Sequence, residues 1–182
     1  LIYTCSLDTP LGAMRAAQKD NTLVGLWFIG QKYFPRQTAN WIYAPDQPIF
    51  IALRNYLADY FAGNPGTFAG RLNPQGSPFQ KTVWDILLQI PLGQVATYGQ
   101  IARWVACKQG LPSMSAQAVG GAVGHNPIGI LIPCHRVVGF DGNLTGYAGG
   151  LDKKKALLQI EKVNLEKWHK AKWLGKPWEK KD

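Results

Sequence analysis

Fourteen residues in the middle of the chain, Gly63 to Gly76, carry four glycines and two prolines. Glycine adds backbone freedom and proline removes a hydrogen-bond donor, so a stretch this rich in both reads as a linker. It divides the chain into two parts, 1–75 and 76–182. The length suits a small domain beside a compact second one, with enough chain to bury a core.

The patterns on the two sides of the break differ. Residues 1 to about 30 read as two or three antiparallel strands. Thr9-Pro10-Leu11-Gly12 marks one turn and Asp20-Asn21 the next, and Leu23 to Ile29 is a strongly apolar strand. Residues 31–47 look like a loop. From Pro48, apolar Ile49, Leu53, Tyr56, Leu57, Tyr60 and Phe61 fit one helix face, which Gly63 ends. This part holds no constellation of reactive groups, and its expected role is a scaffold.

After the break the pattern is helical. Ser77-Pro78-Phe79-Gln80 and Thr97-Tyr98-Gly99-Gln100 each place a hydroxyl N-cap three residues before a Gln, the signature of a capping box. The first of these helices turns Phe79, Val83, Ile86, Leu87 and Ile90 inward, and Pro91 with Gly93 stops it. The second runs to about Val105, a loop spans Cys107 to Ser113, and a third helix covers Ser115 to Val123. Two short helices joined by a turn suggest a helix-turn-helix. A last helix spans about Leu151 to Val163. Beyond it, Trp168, Trp173 and Trp178 recur among lysines in a basic extension.

The third helix has no Lys or Arg. A helix that reads bases in the major groove presents long polar side chains, and this one presents small ones. Gly120 and Gly121 each cost about 1 kcal/mol against alanine in a helix interior. Two returns would offset that cost: tight helix packing inside the protein, or close approach of a duplex through its narrow minor groove.

Lys and Arg number 20 against 11 acids, for a net charge of +9. That excess favours an anionic partner, nucleic acid first, although 10 of the 20 basic residues follow Asp152. Three cysteines, Cys5, Cys107 and Cys134, form no CxxC and no disulfide framework, which suits a reducing compartment. His125, His135 and His169 lack metal-ligand spacing with them, so neither a metal nor another cofactor is expected. No stretch approaches a membrane span and the start lacks a signal-peptide layout, so a cytoplasmic monomer is expected, nucleoid-associated if bacterial.

The reactive stretch is Ile130-Leu131-Ile132-Pro133-Cys134-His135-Arg136-Val137-Val138. An apolar run delivers a thiol beside an imidazole, and proline restrains the chain before it. A thiolate is the nucleophile, and a nearby histidine is a common way to make one. A buried inert cysteine fits the same residues, and adjacent side chains in a strand point to opposite faces.

Pro133-Cys134-His135-Arg136-Val137 resembles the active-site signature of the O6-alkylguanine-DNA alkyltransferases, or methylated-DNA–protein-cysteine methyltransferases. Gly120-Gly121-Ala122-Val123, Asn126-Pro127, Gly146-Tyr147-Ala148-Gly149-Gly150 and Glu161 stand where that family has them, so the resemblance covers about Ser77 to Val163. It implies an α+β fold: a small N-terminal mixed α/β, ribonuclease H-like domain, then a mostly helical, winged-helix-like domain with the helix-turn-helix. It implies single-turnover transfer of an alkyl group from O6-alkylguanine in double-stranded DNA, with O4-alkylthymine a further substrate, to Cys134. His135 would take the thiol proton, directly or through a water, Glu161 would orient His135, and Asn126 would tie the turn together. Tyr98 would donate to a ring nitrogen of the leaving base. Backbone groups near Val137 and Ala148, with Tyr147 as a wall, would form the base pocket. The third helix would enter the minor groove through Ala116, Gln117, Gly120 and Gly121, with Arg136 also at the DNA. The target base would be flipped out of the duplex. Two positions depart from the family. Gln117 stands where the family has an arginine that fills the gap left by the flipped base, and Ala148 stands where several relatives have serine.

Three other readings fit parts of the chain. A cysteine hydrolase would need an oxyanion hole, and its Cys and His normally meet across the fold. A lesion-binding module without chemistry would not need Cys134. A DNA-binding regulator would need a better base-reading helix than Ser115–Val123.

Overall fold

A computed structural model describes residues 1–164. The basic extension with Trp168, Trp173 and Trp178 lies outside the described residues. The fold is mixed α/β. It divides into two compact units: Leu1–Gln75 together with Pro127–Gly129, and Gly76–Asn126 together with the chain from Ile130 onward.

The first unit is built on a mixed five-stranded sheet. β1 (Tyr3–Thr9), β2 (Gly12–Lys19) and β3 (Thr22–Phe28) form an antiparallel meander. Its second turn is Asp20-Asn21, with φ of +51° and +57°. Asp and Asn tolerate that left-handed pair better than other residues, and it matches the twist of a two-residue hairpin. Two short strands, β4 (Ile42–Tyr43) and β5 (Arg71–Leu72), pair in parallel with β1 and β3 to give the order β4-β1-β2-β3-β5. Neither was expected. Each is two residues long inside a stretch that reads as loop or linker, and only pairing with a distant strand makes it regular. Pro127–Gly129 adds to β3, with Leu26 donating to Pro127 O at 2.8 Å and Gly129 donating to Leu26 O at 2.9 Å.

Helix α1 (Pro48–Phe61) packs against β1. Its inward row is Phe50, Leu53, Leu57 and Tyr60. Phe50 takes the first inward place in the row, and Ile49, Tyr56 and Phe61 are only half-buried. In β3 the Trp27 indole lies flat over Gly25, where any Cβ would fall 1.8 Å from the ring. Trp27 then stacks on Trp41 at 5.9 Å and meets Phe34 edge-on at 6.2 Å.

The second unit packs three helices around one another: α2 (Pro78–Leu87), α3 (Tyr98–Gln109) and α4 (Ala116–Gly124). Both expected capping boxes are present, with Ser77 accepting from Gln80 N and Thr97 from Gln100 N, and each Gln reaching back to its N-cap. Helix α3 continues past Val105 to Gln109. Gly110, in the left-handed conformation at φ +67°, stops it there, and Leu111 donates back to Ala106 O at 2.8 Å. The buried Trp84 indole donates to Ala122 O at 2.9 Å and so fastens α2 to α4.

A two-stranded parallel pair, β6 (Ala96–Thr97) and β7 (Val137–Val138), completes this unit with α5 (Leu151–Ile160). Helix α5 ends earlier than Val163. Lys162 turns left-handed at φ +61°, Lys162 N donates to Gln159 O, and Val163 N donates to Leu158 O. These are the bonds of a Schellman closure, and its apolar partners Leu158 and Val163 share a buried cluster with Val95 and Val138. Among the described residues no helix is long and apolar enough to cross a membrane.

Candidate active site

The parallel pair sets the geometry. Ala96 lies opposite Val137 and Thr97 opposite Val138. Tyr98, the first residue of α3, follows one strand directly, and the 3-10 turn Cys134–Arg136 precedes the other directly. A turn rather than a strand presents Cys134 and His135, so alternation across a pleat does not separate them. Arg136 donates its N–H to Pro133 O at 3.0 Å to close that turn. Three residues before the proline, Ile130 is held at φ +66°. A β-branched residue there is strained, and such strain persists only where surrounding structure imposes it.

Cys134 is 7% exposed. Burial pushes its thiol above the ordinary value. A hydrogen bond from the Asn126 side chain, the charge of Lys154 and the N–H groups of Cys134 and His135 pull the other way without cancelling it. Asn126 also donates Nδ2 to Ile132 O at 2.8 Å, which fixes the chain two residues before the nucleophile. A thiol raised in this way stays protonated at neutral pH and needs a base.

His135 is fully buried, and its Nε2 meets Glu161 Oε2 at 2.5 Å. Its Nδ1 is buried with no hydrogen-bond partner among the described residues. Glu161 is the residue at which α5 ends, so the Schellman closure places its carboxylate. Burial would raise that carboxyl, but His135 and Arg136 beside it outweigh burial and hold it at about 2. Arg136, expected at the DNA, has its Nε on Glu161 Oε1 at 2.6 Å and its Nη1 on Ile90 O at 2.7 Å. These two bonds tie the guanidinium to a buried carboxylate and to the end of α2's following turn.

One residue of this site escaped the sequence analysis. Lys154 in α5 is completely buried. Its Nζ donates to Val137 O at 2.6 Å, Thr145 O at 3.0 Å and Gly146 O at 3.1 Å. Burial lowers its pKa to about 8, against a rise from Cys134. It stands within a Lys153-Lys154-Lys155 run that looks like a solvated face. The available signal was spacing: Lys154, Leu157, Leu158 and Glu161 fall at i, i+3, i+4 and i+7, one helix face.

Of the expected pocket residues, Tyr98 and Tyr147 lie near enough to Cys134 to feel its charge. Val137 is buried, and its carbonyl is taken by Lys154. Tyr147 is half-buried as a residue, and burial with Cys134 and Glu161 nearby pushes its hydroxyl well above the ordinary value. Ala148 is half-buried. Tyr98 donates its hydroxyl to Thr145 O at 3.0 Å, and burial followed by Cys134 raises its pKa to about 12.

Helix α4 turns Val119, Ala122 and Val123 inward and leaves Ala116, Gln117, Ala118 and Gly121 exposed. A Cβ added at Gly121 would meet nothing, and one at Gly120 would only touch the Tyr98 ring at 3.9 Å. Internal packing therefore does not require these glycines. Among the described residues no group of three His, Cys, Asp or Glu side chains is arranged to hold a metal.

A buried thiol, an amide fixing it, and a histidine locked to a carboxylate are the parts that a protein working through a cysteine nucleophile needs. The DNA-binding domain of 6-O-methylguanine DNA methyltransferase matches residues 78–163. The methylated-DNA–protein-cysteine methyltransferase of Mycobacterium tuberculosis is 42% identical over 162 residues, 89% of this chain and 93% of the relative. That of Methanosarcina mazei is 38% identical over 165 residues, 91% of this chain and all of the relative. The crystal structure of the M. tuberculosis O6-methylguanine methyltransferase superposes with a TM-score of 0.78 at 41% identity, covering 89% of this chain and 93% of the other. The M. tuberculosis OGT in complex with DNA gives 0.78 at 38% identity, with coverages of 88% and 92%. The chain belongs to the methylated-DNA–protein-cysteine methyltransferase family.

Proposed function

We propose that this protein repairs DNA by direct reversal: it moves the alkyl group of O6-alkylguanine in a duplex onto Cys134, once per molecule. The observation that carries this reading is the chain of groups behind the thiol. Asn126 fixes the Cys134 sulfur, His135 keeps Nδ1 free of protein partners, and Glu161 holds Nε2. His135 takes the thiol proton on Nδ1, directly or through a water. Glu161 then stabilises the imidazolium, as the carboxylate of a triad does.

The sulfur attacks the alkyl carbon. The S–C bond forms as the C–O6 bond breaks, and the electron pair passes to O6 and into the purine ring. Tyr98 is the donor at a ring nitrogen as that charge grows, the kind of stabilisation that acts mainly on the transition state. Its high pKa keeps the proton available for donation. The product is a thioether, a poor leaving group, so the acceptor is consumed.

The base must leave the stack to reach a sulfur this buried. Helix α4 with α3 is read as a helix-turn-helix that approaches the minor groove, where uncovered Gly120 and Gly121 admit a sugar–phosphate wall. Gln117 fills the gap left by the base, with less reach than arginine and no charge. Arg136 is read as a brace for Glu161 rather than a phosphate contact. In fold terms the first unit is read as ribonuclease H-like and the second as winged-helix-like. A cytoplasmic location suits a DNA-repair protein with an unpaired nucleophilic cysteine.

Intact-protein mass spectrometry after incubation with a duplex holding one O6-methylguanine tests this reading. One methyl unit, mapped to Cys134 and absent in Cys134→Ala, is the expected result. Tight lesion binding with no methyl gained would make the chain a recognition protein.

A further inference from the structure

The proposed mechanism gives the Tyr98 hydroxyl to the departing guanine, but in the structure that hydroxyl is occupied. It donates to Thr145 O at 3.0 Å. The same carbonyl already has a second donor, Lys154 Nζ, also at 3.0 Å. The other ammonium contacts are Gly146 O at 3.1 Å and Val137 O at 2.6 Å. Three ammonium protons thus meet three backbone carbonyls, which is how a fully buried lysine avoids an unpaired charge. Val137 belongs to the strand that follows the Cys134 turn, whereas Thr145 and Gly146 belong to the glycine-rich loop that leads to Tyr147. Lys154 therefore ties the pocket loop to the nucleophile's own strand, from a third element, α5.

A carbonyl oxygen has two lone pairs, and both donors on Thr145 O can be accommodated. The two donors are not equivalent. Lys154 cannot leave without stranding a buried charge. Tyr98 can leave, because the oxygen keeps its ammonium donor and the loop keeps its tether. A hydrogen bond to a developing anion is roughly twice as strong as one between neutral groups. The hydroxyl thus gains by changing partner only as charge builds on the base.

We propose that Lys154 is a positioning residue that holds the Thr145–Gly146 turn against β7, so that Tyr98 can exchange the Thr145 carbonyl for the substrate base while the pocket stays closed. This rests on the proposed function and adds to it a specific hydrogen-bond exchange. The ammonium also faces Cys134 and lies 5.9 Å from the Tyr98 ring centroid, so it borders both groups whose roles change during transfer.

Single-turnover methylation of Cys134 by an O6-methylguanine duplex is measured for wild type, Lys154→Met, Tyr98→Phe and the double variant. Tyr98→Phe should slow the maximal rate by about a hundredfold, the loss typical of one transition-state donor. Lys154→Met should slow it by about tenfold or more, with the half-saturating duplex concentration nearly unchanged. In the Lys154→Met background, Tyr98→Phe should then cost only about threefold or less, because a tyrosine that must hold the loop is not free to donate. Lys154→Met reacting at the wild-type rate would overturn the proposal. So would Tyr98→Phe costing the same factor in both backgrounds, which is the pattern of a merely structural lysine.

Because loss of a buried ammonium can unfold a protein, a second measurement keeps Lys154. Amide exchange across Gly139–Gly150 is followed in Cys134→Ser before and after the lesion duplex is added. Protection that holds or rises supports the exchange, and protection lost on binding overturns it. Wild type that takes no methyl overturns the function itself. Wild type that takes methyl while the two variants act additively overturns only the exchange.

Discussion

Helix α4 turns Ala116, Gln117, Ala118 and Gly121 to solvent, whereas α5 turns Lys154 inward and ends on buried Glu161. Both helices break a design rule, in opposite directions. In α4 the two central glycines give up about 2 kcal/mol of helix propensity, and no neighbouring side chain among the described residues needs the space. In α5 two charged groups leave water, at several kcal/mol each before pairing. Stability alone would select alanines in α4 and apolar residues in α5. The difference separates two tasks. In the proposed function α5 supports chemistry, where charges must be fixed and dry, and α4 supports approach, where a surface must be bare.

The comparison breaks most directly at Glu161. Glu161→Gln removes a buried carboxylate shared by His135 and Arg136 and leaves a part-buried guanidinium without its counter-charge. We expect a loss of about 3–5 kcal/mol in unfolding free energy and a methyl-transfer rate lower by about a hundredfold or more. Denaturant unfolding and single-turnover rates read both. The same residue sets an acid limit. Its folded value of about 2 lies below its ordinary 4.5. Its contribution to stability is therefore complete above pH 4.5 and is lost as pH falls through about 2. Thermal midpoints recorded over that window should fall in wild type and flatten in Glu161→Gln.

At Gly121 the comparison predicts opposite signs. Gly121→Ala should raise stability by about 0.5–1 kcal/mol while weakening lesion-duplex binding by about tenfold, since the added methyl stands on the surface proposed to meet DNA. A calorimetric melt and a titration with duplex decide it. If binding is unchanged, the bare face of α4 is not the approach surface.

Gln117→Arg sharpens the same point. Arginine adds length and charge at the position proposed to fill the gap of a flipped base, so transfer from duplex should quicken by a few-fold, while reaction with a free O6-alkylguanine base stays the same. Paired rate measurements would expose an unchanged duplex rate. The smallest effect is at the end of α5. Lys162 sits at φ +61°, so Lys162→Gly should relieve about 1 kcal/mol of strain and raise the melting temperature with transfer unchanged.

Much of the second unit was legible because its signals are local. Ser77 with Gln80 and Thr97 with Gln100 announce helix starts that the structure contains. A cap and its partner lie three residues apart, so no distant contact is needed to form them. Strands β4 and β5 were invisible because two residues without pattern become strand only when β1 and β3 lie beside them. Phe50 took the inward place in α1 for the same reason: the sheet decides which edge of an apolar stripe faces it. Cys134, His135, Asn126 and Glu161 were picked out together from family spacing, and the fold brings them close to one another. Lys154 was not, since in a run of three lysines only the fold says which one is inside. Arg136 shows the converse. Read beside the motif as a residue at the DNA, it donates Nε to a carboxylate 25 positions away, a pairing its sequence neighbours do not announce.

The most direct measurement of this division of labour is the ratio of methyl-transfer rates, lesion duplex over free alkylated base, in wild type, Glu161→Gln and Gly121→Ala. The account predicts that Glu161→Gln loses both rates together and keeps the ratio, whereas Gly121→Ala keeps the free-base rate and loses the duplex rate. A Gly121→Ala variant that slows both rates equally, or a Glu161→Gln variant that slows only the duplex reaction, would contradict it.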